Sequence, residues 1–323
     1  MSLGLALIAG AVEAGVGYPD ALFRAIGHPV TWIGRLIAWA DNRWNSEEDS
    51  VVQQRVLGIM LTASLVIGGL LIGLMISRLF EAFLPPLAAL VPIAILASSL
   101  VAQKSLHDHV EAVAEALNQS LDKGRETVAM IVGRDTKELD QSAVCRAAIE
   151  SLAESFCDGI VAPLLWIALL GLPGGIAYKA INTADSMIGH KTTRYIDFGW
   201  ASARTDDVMN WPAARLAALW IAAGALFVRG ASPWQALVIT WRDARKHDSP
   251  NAGWSEAAMA GALGVRLMGP RTYGGEAVRG EWMGKGRIAA SASDIRTALK
   301  IYRAACAVQL GVLAILFGLT FLW

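Results

Sequence analysis

Long apolar runs alternate with polar stretches along this chain and no period-two alternation persists anywhere, a pattern that predicts helices and an all-α fold. Residues 56–77, VLGIMLTASLVIGGLLIGLMIS, carry no formal charge and, at about 1.5 Å per residue, can cross a hydrocarbon core of about 30 Å. Residues 85–102, opening on Pro85-Pro86, and 304–323, ending in Phe321-Leu322-Trp323, are comparable, and a terminal Trp suits a membrane interface. These three are the expected transmembrane spans. Three further apolar pieces are read as spans or re-entrant segments: 2–17 is short, 159–178 is broken by Pro163, Gly171, Pro173, Gly174 and Gly175, and 212–229 begins at Pro212 and contains Arg215. A broken helix persists at membrane depth only where protein or water satisfies its backbone.

Between the last two pieces lies a polar island, residues 178–215, which holds Lys179, Asn182, Asp185, Arg204, Asp206, Asp207 and Asn210. If both flanking pieces cross, the island lies opposite the loops 103–158 and 230–302; if neither crosses, all three polar regions share one face. The second arrangement puts every Lys and Arg but Arg78 on or next to that face, and positive charge marks the cytoplasmic side. The expectation is a polytopic membrane protein with its polar regions in the cytoplasm. Residues 103–158 read as amphipathic helices leaving the bilayer, with a turn at Val132-Gly133-Arg134-Asp135 and a helix restarting near Thr136. Residues 242–300, with Ser249-Pro250-Asn251, Gly269-Pro270 and Gly274-Gly275, read as a loop-rich rim with short helices. No internal repeat or low-complexity linker is visible, so one membrane-embedded domain over residues 1–323 is the simplest organisation.

Composition agrees: the chain is 54% hydrophobic and 17% charged, against about 25% charge in an average soluble domain. The 28 Lys and Arg balance 28 Asp and Glu, so no basic field points to nucleic acid. Cys145, Cys157 and Cys306 form no CxxC pair or metal spacing and read as reduced and structural. Residues 2–17 contain Glu13 and lack a basic flank, so they are expected to stay in the mature protein.

Four constellations carry candidate chemistry. Arg146, Glu150, Glu154 and Asp158 recur at steps of four, which in a helix lines a cation and three carboxylates along one slowly drifting face. That face could present oxygens to Mg²⁺, or be a solvated salt-bridged stripe. Asn182 and Asp185 lie one turn apart, and Arg204, Asp206, Asp207 and Asn210 follow. Together they supply carboxylates for a nucleotide-bound Mg²⁺ and cations for its phosphates, with helix capping and snorkelling as the alternative. Gly133-Arg134-Asp135-Thr136 could be an anion nest or a capping turn. Ser249, Asn251 and Glu256 sit among small residues that would let a ligand approach, or that simply cap and pack a helix. His28 before Pro29 could serve proton transfer or structure. P-loop, dinucleotide and zinc-protease motifs are absent from the sequence.

The ordered combination HPVTWIGR, IVGRDT, RAAIESLAES with DGIVAPLLW, YKAINTADSMIGH, GWASARTDDVMNWPAAR and SPNAGWSEAAMAGALGVRL resembles the adenosylcobinamide-phosphate synthase family of cobalamin biosynthesis, the CobD/CbiB type. The motifs cover most of residues 13–275. The resemblance implies an integral membrane ligase of the bacterial inner membrane. Such an enzyme uses ATP and Mg²⁺ to join aminopropanol, or its phosphate, to the propionate carboxylate of adenosylcobyric acid. On chemical grounds Asp185, Asp206 and Asp207 are assigned to Mg²⁺ or nucleotide, with Glu150, Glu154 and Asp158 as the competing metal set and Asp185, Asp207 and His28 as catalytic candidates. Lys179, Asn182, Arg134 and Arg204 would meet phosphates; Ser249 and Asn251, with His28, would line the corrinoid or amine pocket. The family's acidic Gly-Asp-Pro appears as Gly17-Tyr18-Pro19, its Glu-Asn as Glu154-Ser155, and its Pro before Glu256 as Ser255. With the other motif residues intact, an active enzyme is expected. Partners left open are a homo-oligomer and other corrinoid-pathway membrane proteins. The rival readings are a membrane transporter and a non-catalytic corrinoid-binding protein.

Overall fold

The computed structural model describes residues 1–46, 48–273, 276–278 and 280–322; Gly274, Gly275 and Trp323, used in the sequence reading, lie outside them. The chain is helical, as the pattern predicts. In order come α1 (Ser2–Val16), α2 (Asp20–Ile26), α3 (Pro29–Trp44), α4 (Val51–Phe83), α5 (Pro86–Ser98), α6 (Gln103–Leu117), α7 (Leu121–Val128) and α8 (Gln141–Phe156). A π-helical turn (Cys157–Val161) leads into α9 (Ala162–Ile188), then α10 (Trp200–Ala225), α11 (Pro233–Asp243), a 3-10 turn (Ala244–Lys246) and α12 (Ala252–Leu263). Strands β1 (Leu267–Met268), β2 (Arg271–Tyr273), β3 (Glu276–Val278) and β4 (Trp282–Met283) precede α13 (Ala292–Leu319). β1 pairs antiparallel with β4, and β2 with β3. Strands of two or three residues are too short for an alternating pattern, which is why this part of the expected rim showed no strand signal.

Among the described residues, four helical stretches are long and apolar enough to cross a membrane: Val51–Phe83, Pro86–Leu117, Gln141–Ile188 and Ala292–Leu319. A fifth is counted if Ser2–Val16 and Ala21–Trp44, bent by 103°, form one broken span. This is a multi-pass membrane protein. One correction concerns the helix expected to restart near Thr136. α8 begins at Gln141, because Asp140 caps it by accepting the Ala143 N–H at 2.6 Å, and Thr136 stays in the preceding loop.

The chain divides into two compact units. The first comprises Met1–Ala102, Ala162–Asn210 and Leu313–Trp323. Its apolar centre joins Ile37 of α3, Leu61 and Leu65 of α4, Ile181, Ala184 and Ile188 of α9, and Phe198. α4 meets α9 through glycine: a Cβ on Gly73 would lie 2.4 Å from the Pro173 Cα, so only a bare backbone lets the helices approach this closely. Ile59, Ile67, Leu71, Met75 and Leu79 on the same helix stay exposed, the surface expected to face lipid.

Within α9 the chain bends sharply at Gly171, whose φ of 70° and ψ of −159° are open essentially to glycine alone. Past the bend, Cβ atoms added to Gly174 and Gly175 would lie 2.5 Å from the Trp166 carbonyl oxygen and 2.6 Å from Ile167 Cγ1. In a straight helix residues eight apart are about 12 Å from one another, so the two arms of α9 fold back together, and Gln141–Ile188, apolar enough in composition to cross, is not one straight span.

The second unit comprises Gln103–Val161 and Trp211–Val312. Ile239, Ala244, Ala257, Met268 and Met283 form one of its buried clusters. Asp243, wholly buried, is tied by Arg242, Lys246 and the Gly284 N–H. Burial alone would raise its carboxyl, yet these donors win and hold it at about 2.

Candidate active site

In the first unit, the polar island closes on itself. The loop after α9 is held by Asp41 of α3, which accepts from Asn45 at 2.9 Å and from Arg194 and the Tyr195 hydroxyl at 3.2 Å each. Arg55 of α4 pairs with Asp197 at 2.9 Å. With the loop fixed, α9 and the start of α10 lie side by side and their polar residues meet. Buried Asp206 accepts from the Asn210 amide at 2.9 Å on one oxygen and from Asn182 at 3.4 Å on the other. Asn210 in turn accepts from the buried Tyr178 hydroxyl at 2.9 Å, and Lys179 donates to the Asn182 side-chain amide oxygen at 3.5 Å.

Charge inside this network is concentrated. Burial first, and then the nearby Asp185 carboxylate, push the Asp206 carboxyl up to about 7, against the hydrogen bonds from Asn210 and Asn182. Burial also raises Asp207, while Arg204 and Lys191 pull it down. Arg204 reaches Asp207 across 3.5 Å from an exposed position, a contact worth little by itself.

The second unit carries a separate polar group. Arg134 donates to Glu150 Oε2 at 2.8 Å with both side chains almost wholly buried, and Glu150 Oε1 accepts the Met268 N–H at 2.7 Å. Met268 is the one non-glycine residue with positive φ, 64°, among the described residues. A cleft of about 120 Å³ opens beside this pair, lined also by Gly133, Ser151, Glu154 and Glu256. His247 accepts the Ser249 N–H on Nδ1 at 2.8 Å, which leaves the hydrogen on Nε2, 3.5 Å from Glu256 Oε1. The Ser249 hydroxyl oxygen accepts the N–H groups of Asn251 and Ala252 at 3.2 Å and so braces the turn that leads into α12. Buried Asn251 accepts from Arg215 at 2.9 Å, and that guanidinium is stacked between Trp211 and Trp254, 4.5 and 4.3 Å from their ring centres.

The family model described as CobD/Cbib protein matches residues 6–302. A relative from Sinorhizobium sp., named cobalamin biosynthesis protein CobD, is 50% identical over 97% of both chains. The protein of that name from Rhizobium meliloti is 50% identical over 91% of this chain and 90% of its own. That of Rhodobacter capsulatus is 45% identical over 97% of this chain and 98% of its own. The chain belongs to the CobD/Cbib family. No solved structure matches it.

For a CobD/Cbib chain, the sequence candidates sort clearly. Asn182, Asp206 and Asn210 are in direct contact, with Asp185 close enough to act on Asp206 and Lys179 at the edge. Of the competing set, Glu150, paired with Arg134, and exposed Glu154 line the same cleft with Glu256, while Asp158 sits in the π-helical turn. That turn, Cys157–Val161, interrupts the regular α-helical repeat just after Phe156. Among the described residues no three His, Cys, Asp or Glu are gathered as a metal site. His28 caps α3 by accepting the Val30 N–H on Nδ1 at 3.2 Å, with its ring 4.4 Å from that of Tyr18. Nε2 then carries the hydrogen, so the ring is set to donate. Sequence reasoning gave no role to Tyr178, His247 or Arg215. Arg215 had a readable signal, a charge inside an apolar segment; the other two are recognisable only from their partners.

Proposed function

We propose that this chain is an ATP-dependent amide ligase of cobalamin biosynthesis in the bacterial inner membrane. It would join aminopropanol, or aminopropanol phosphate, to the propionate carboxylate of adenosylcobyric acid, with its polar regions facing the cytoplasm. The observation that carries the reading is the near full-length similarity to cobalamin biosynthesis proteins. The network of Tyr178, Asn182, Asp206 and Asn210 supports it, because it is built from two of the motifs that carry the resemblance.

A carboxylate is a poor electrophile. In this reading its oxygen takes the γ-phosphoryl group of ATP, releasing ADP and leaving an acyl phosphate. The amine nitrogen then attacks the acyl carbon, the C–O bond to phosphate breaks, and phosphate departs with its electron pair. The attacking nitrogen loses a proton to a carboxylate of the Asp185, Asp206 and Asp207 set.

A nucleotide-bound Mg²⁺ needs only one or two protein carboxylates, and Asp185 adds its repulsion to the burial that raises Asp206, a charge that a divalent cation would relieve. Bound there on the phosphates of ATP, Mg²⁺ would neutralise the charge of the transferring group. In this reading Lys179 and Arg204 of the first unit face phosphate and His28 serves the amine or corrinoid, while Arg134, Ser249 and Asn251 are the second unit's own candidates for phosphate and for the corrinoid or amine.

The test is incubation of the purified protein with adenosylcobyric acid, ATP, Mg²⁺ and either amine, with the corrinoid product followed by mass. An amide product of adenosylcobinamide or its phosphate is expected. Its absence with both amines sinks the ligase reading, and corrinoid binding without ATP consumption points to a non-catalytic relative. Asp185→Ala and Asp207→Ala are expected to abolish turnover in protein that still assembles in the membrane.

A further inference from the structure

A second polar feature of the second unit takes no part in the ligase reading. The apolar run 216–228 of α10 and the turn after it ends at Arg229, and the apolar run 304–319 of α13 begins just after Arg303. The two helices touch at Gly224, where an added Cβ would lie 2.7 Å from both the Ile301 oxygen and the Ala305 nitrogen. The contact brings the two run ends together around an open cleft of about 350 Å³ lined by Phe227, Val228, Arg229, Thr297, Lys300 and Arg303, with Ala304.

Among the described residues no carboxylate lines this cleft. Arg229, Lys300 and Arg303 make no side-chain hydrogen bond or ion pair among the described residues. The acids nearby are committed elsewhere: Asp294 binds Arg287, and Glu111 pairs with Arg296 at 3.5 Å. The Thr297 hydroxyl already donates to the Ser293 carbonyl at 2.8 Å, which leaves the three cations as the polar content. Exposed Leu226 and Phe227 stand beside them. Three unpaired cations repel one another, and they stand at the end of the α10 apolar run and beside the apolar run of the candidate span Ala292–Leu319, the kind of position at which basic residues meet lipid phosphates.

We infer that Arg229, Lys300 and Arg303 form a binding site for a phosphate group at the membrane surface, chemistry that the headgroup of an anionic phospholipid supplies. Phosphate oxygens would accept from the two guanidinium groups and the ammonium, and acyl chains would lie along Leu226 and Phe227. The same chemistry would also accept soluble phosphate. The site is independent of amide ligation.

Native mass spectrometry of the full-length protein, given equal amounts of phosphatidylglycerol and phosphatidylcholine, tests this. The native protein is expected to retain phosphatidylglycerol at least tenfold over phosphatidylcholine. Each cation removed should cost about fivefold, so the triple variant R229Q/K300Q/R303Q should lose the preference. A control that removes three exposed cations elsewhere, R24Q/K137Q/K285Q, should keep it, as should the charge-conserving R229K/R303K. If the triple variant fails to fold, judged by its circular dichroism, R303Q alone carries the test with a loss of about fivefold. In a second arm, inorganic phosphate is titrated against the melting temperature in detergent. A shift in native protein that the triple variant lacks, without lipid preference, assigns the site to soluble phosphate. Equal lipid retention by native and triple-variant proteins, with no phosphate-dependent shift, overturns the proposal.

Discussion

At the residue scale, the decisive group is Asp206. An acid whose folded pKa is about 7, against about 3.9 when unfolded, stays neutral in the folded state at pH values where the unfolded chain has released its proton. The folded state therefore binds more protons between those values, and stability falls as pH rises from about 4 through 7. Without Mg²⁺, the melting temperature in detergent is expected to drop between pH 5 and pH 8. Asp206→Asn should flatten that drop, as should saturating Mg²⁺ if the carboxylates bind it; an unchanged slope in the variant would refute the assignment. Tyr178→Phe removes a hydroxyl that donates to Asn210 and should cost about 1–3 kcal/mol, measured by thermal unfolding. The spacing of Asn182, Asp185, Asp206 and Asn210 was enough to nominate this group. What it could not convey was that Asp206 is the buried centre, because burial depends on how α9 and α10 pack.

At the scale of elements, two glycines on one helix make a controlled comparison. Gly68 has open space where a Cβ would go, whereas Gly73 faces the Pro173 backbone. Gly68→Ala is expected to leave the melting temperature level or raise it, since alanine is the better helix former, while Gly73→Ala should lower it. Gly171→Ala should cost about 1–3 kcal/mol through backbone strain alone, because the nearest atom to its Cβ is 3.6 Å away. The apolar runs foretold the long helices, and the Pro and Gly residues of 159–178 foretold a break. The helix start at Gln141 was misplaced because Asp135, Thr136 and Asp140 are all plausible caps. Only the path of the loop decides among them. The π-helical turn at Cys157–Val161 had no sequence signal at all.

For the molecule as a whole, orientation is open to direct measurement. Cys145, Cys157 and Cys306 are buried, so single cysteines can be introduced against a quiet background. Thr192→Cys, in the loop before α10, should resist a membrane-impermeant maleimide in intact spheroplasts and react after permeabilisation. Phe83→Cys, at the far end of α4, should react in both; the opposite pattern would reverse the proposed topology. Membrane character was legible from hydropathy and charge balance alone. The partition into two compact units was not, since each is assembled from separate stretches of chain and no linker marks the boundary. The fold-back at Gly171 bears finally on biogenesis. A segment whose two arms return to the side they came from can enter the bilayer without hauling a polar flank across it. Residues 162–188 can thus be inserted late, as a wedge against an α4 that is already seated, and a mutation that straightens the bend should appear first as a defect of assembly.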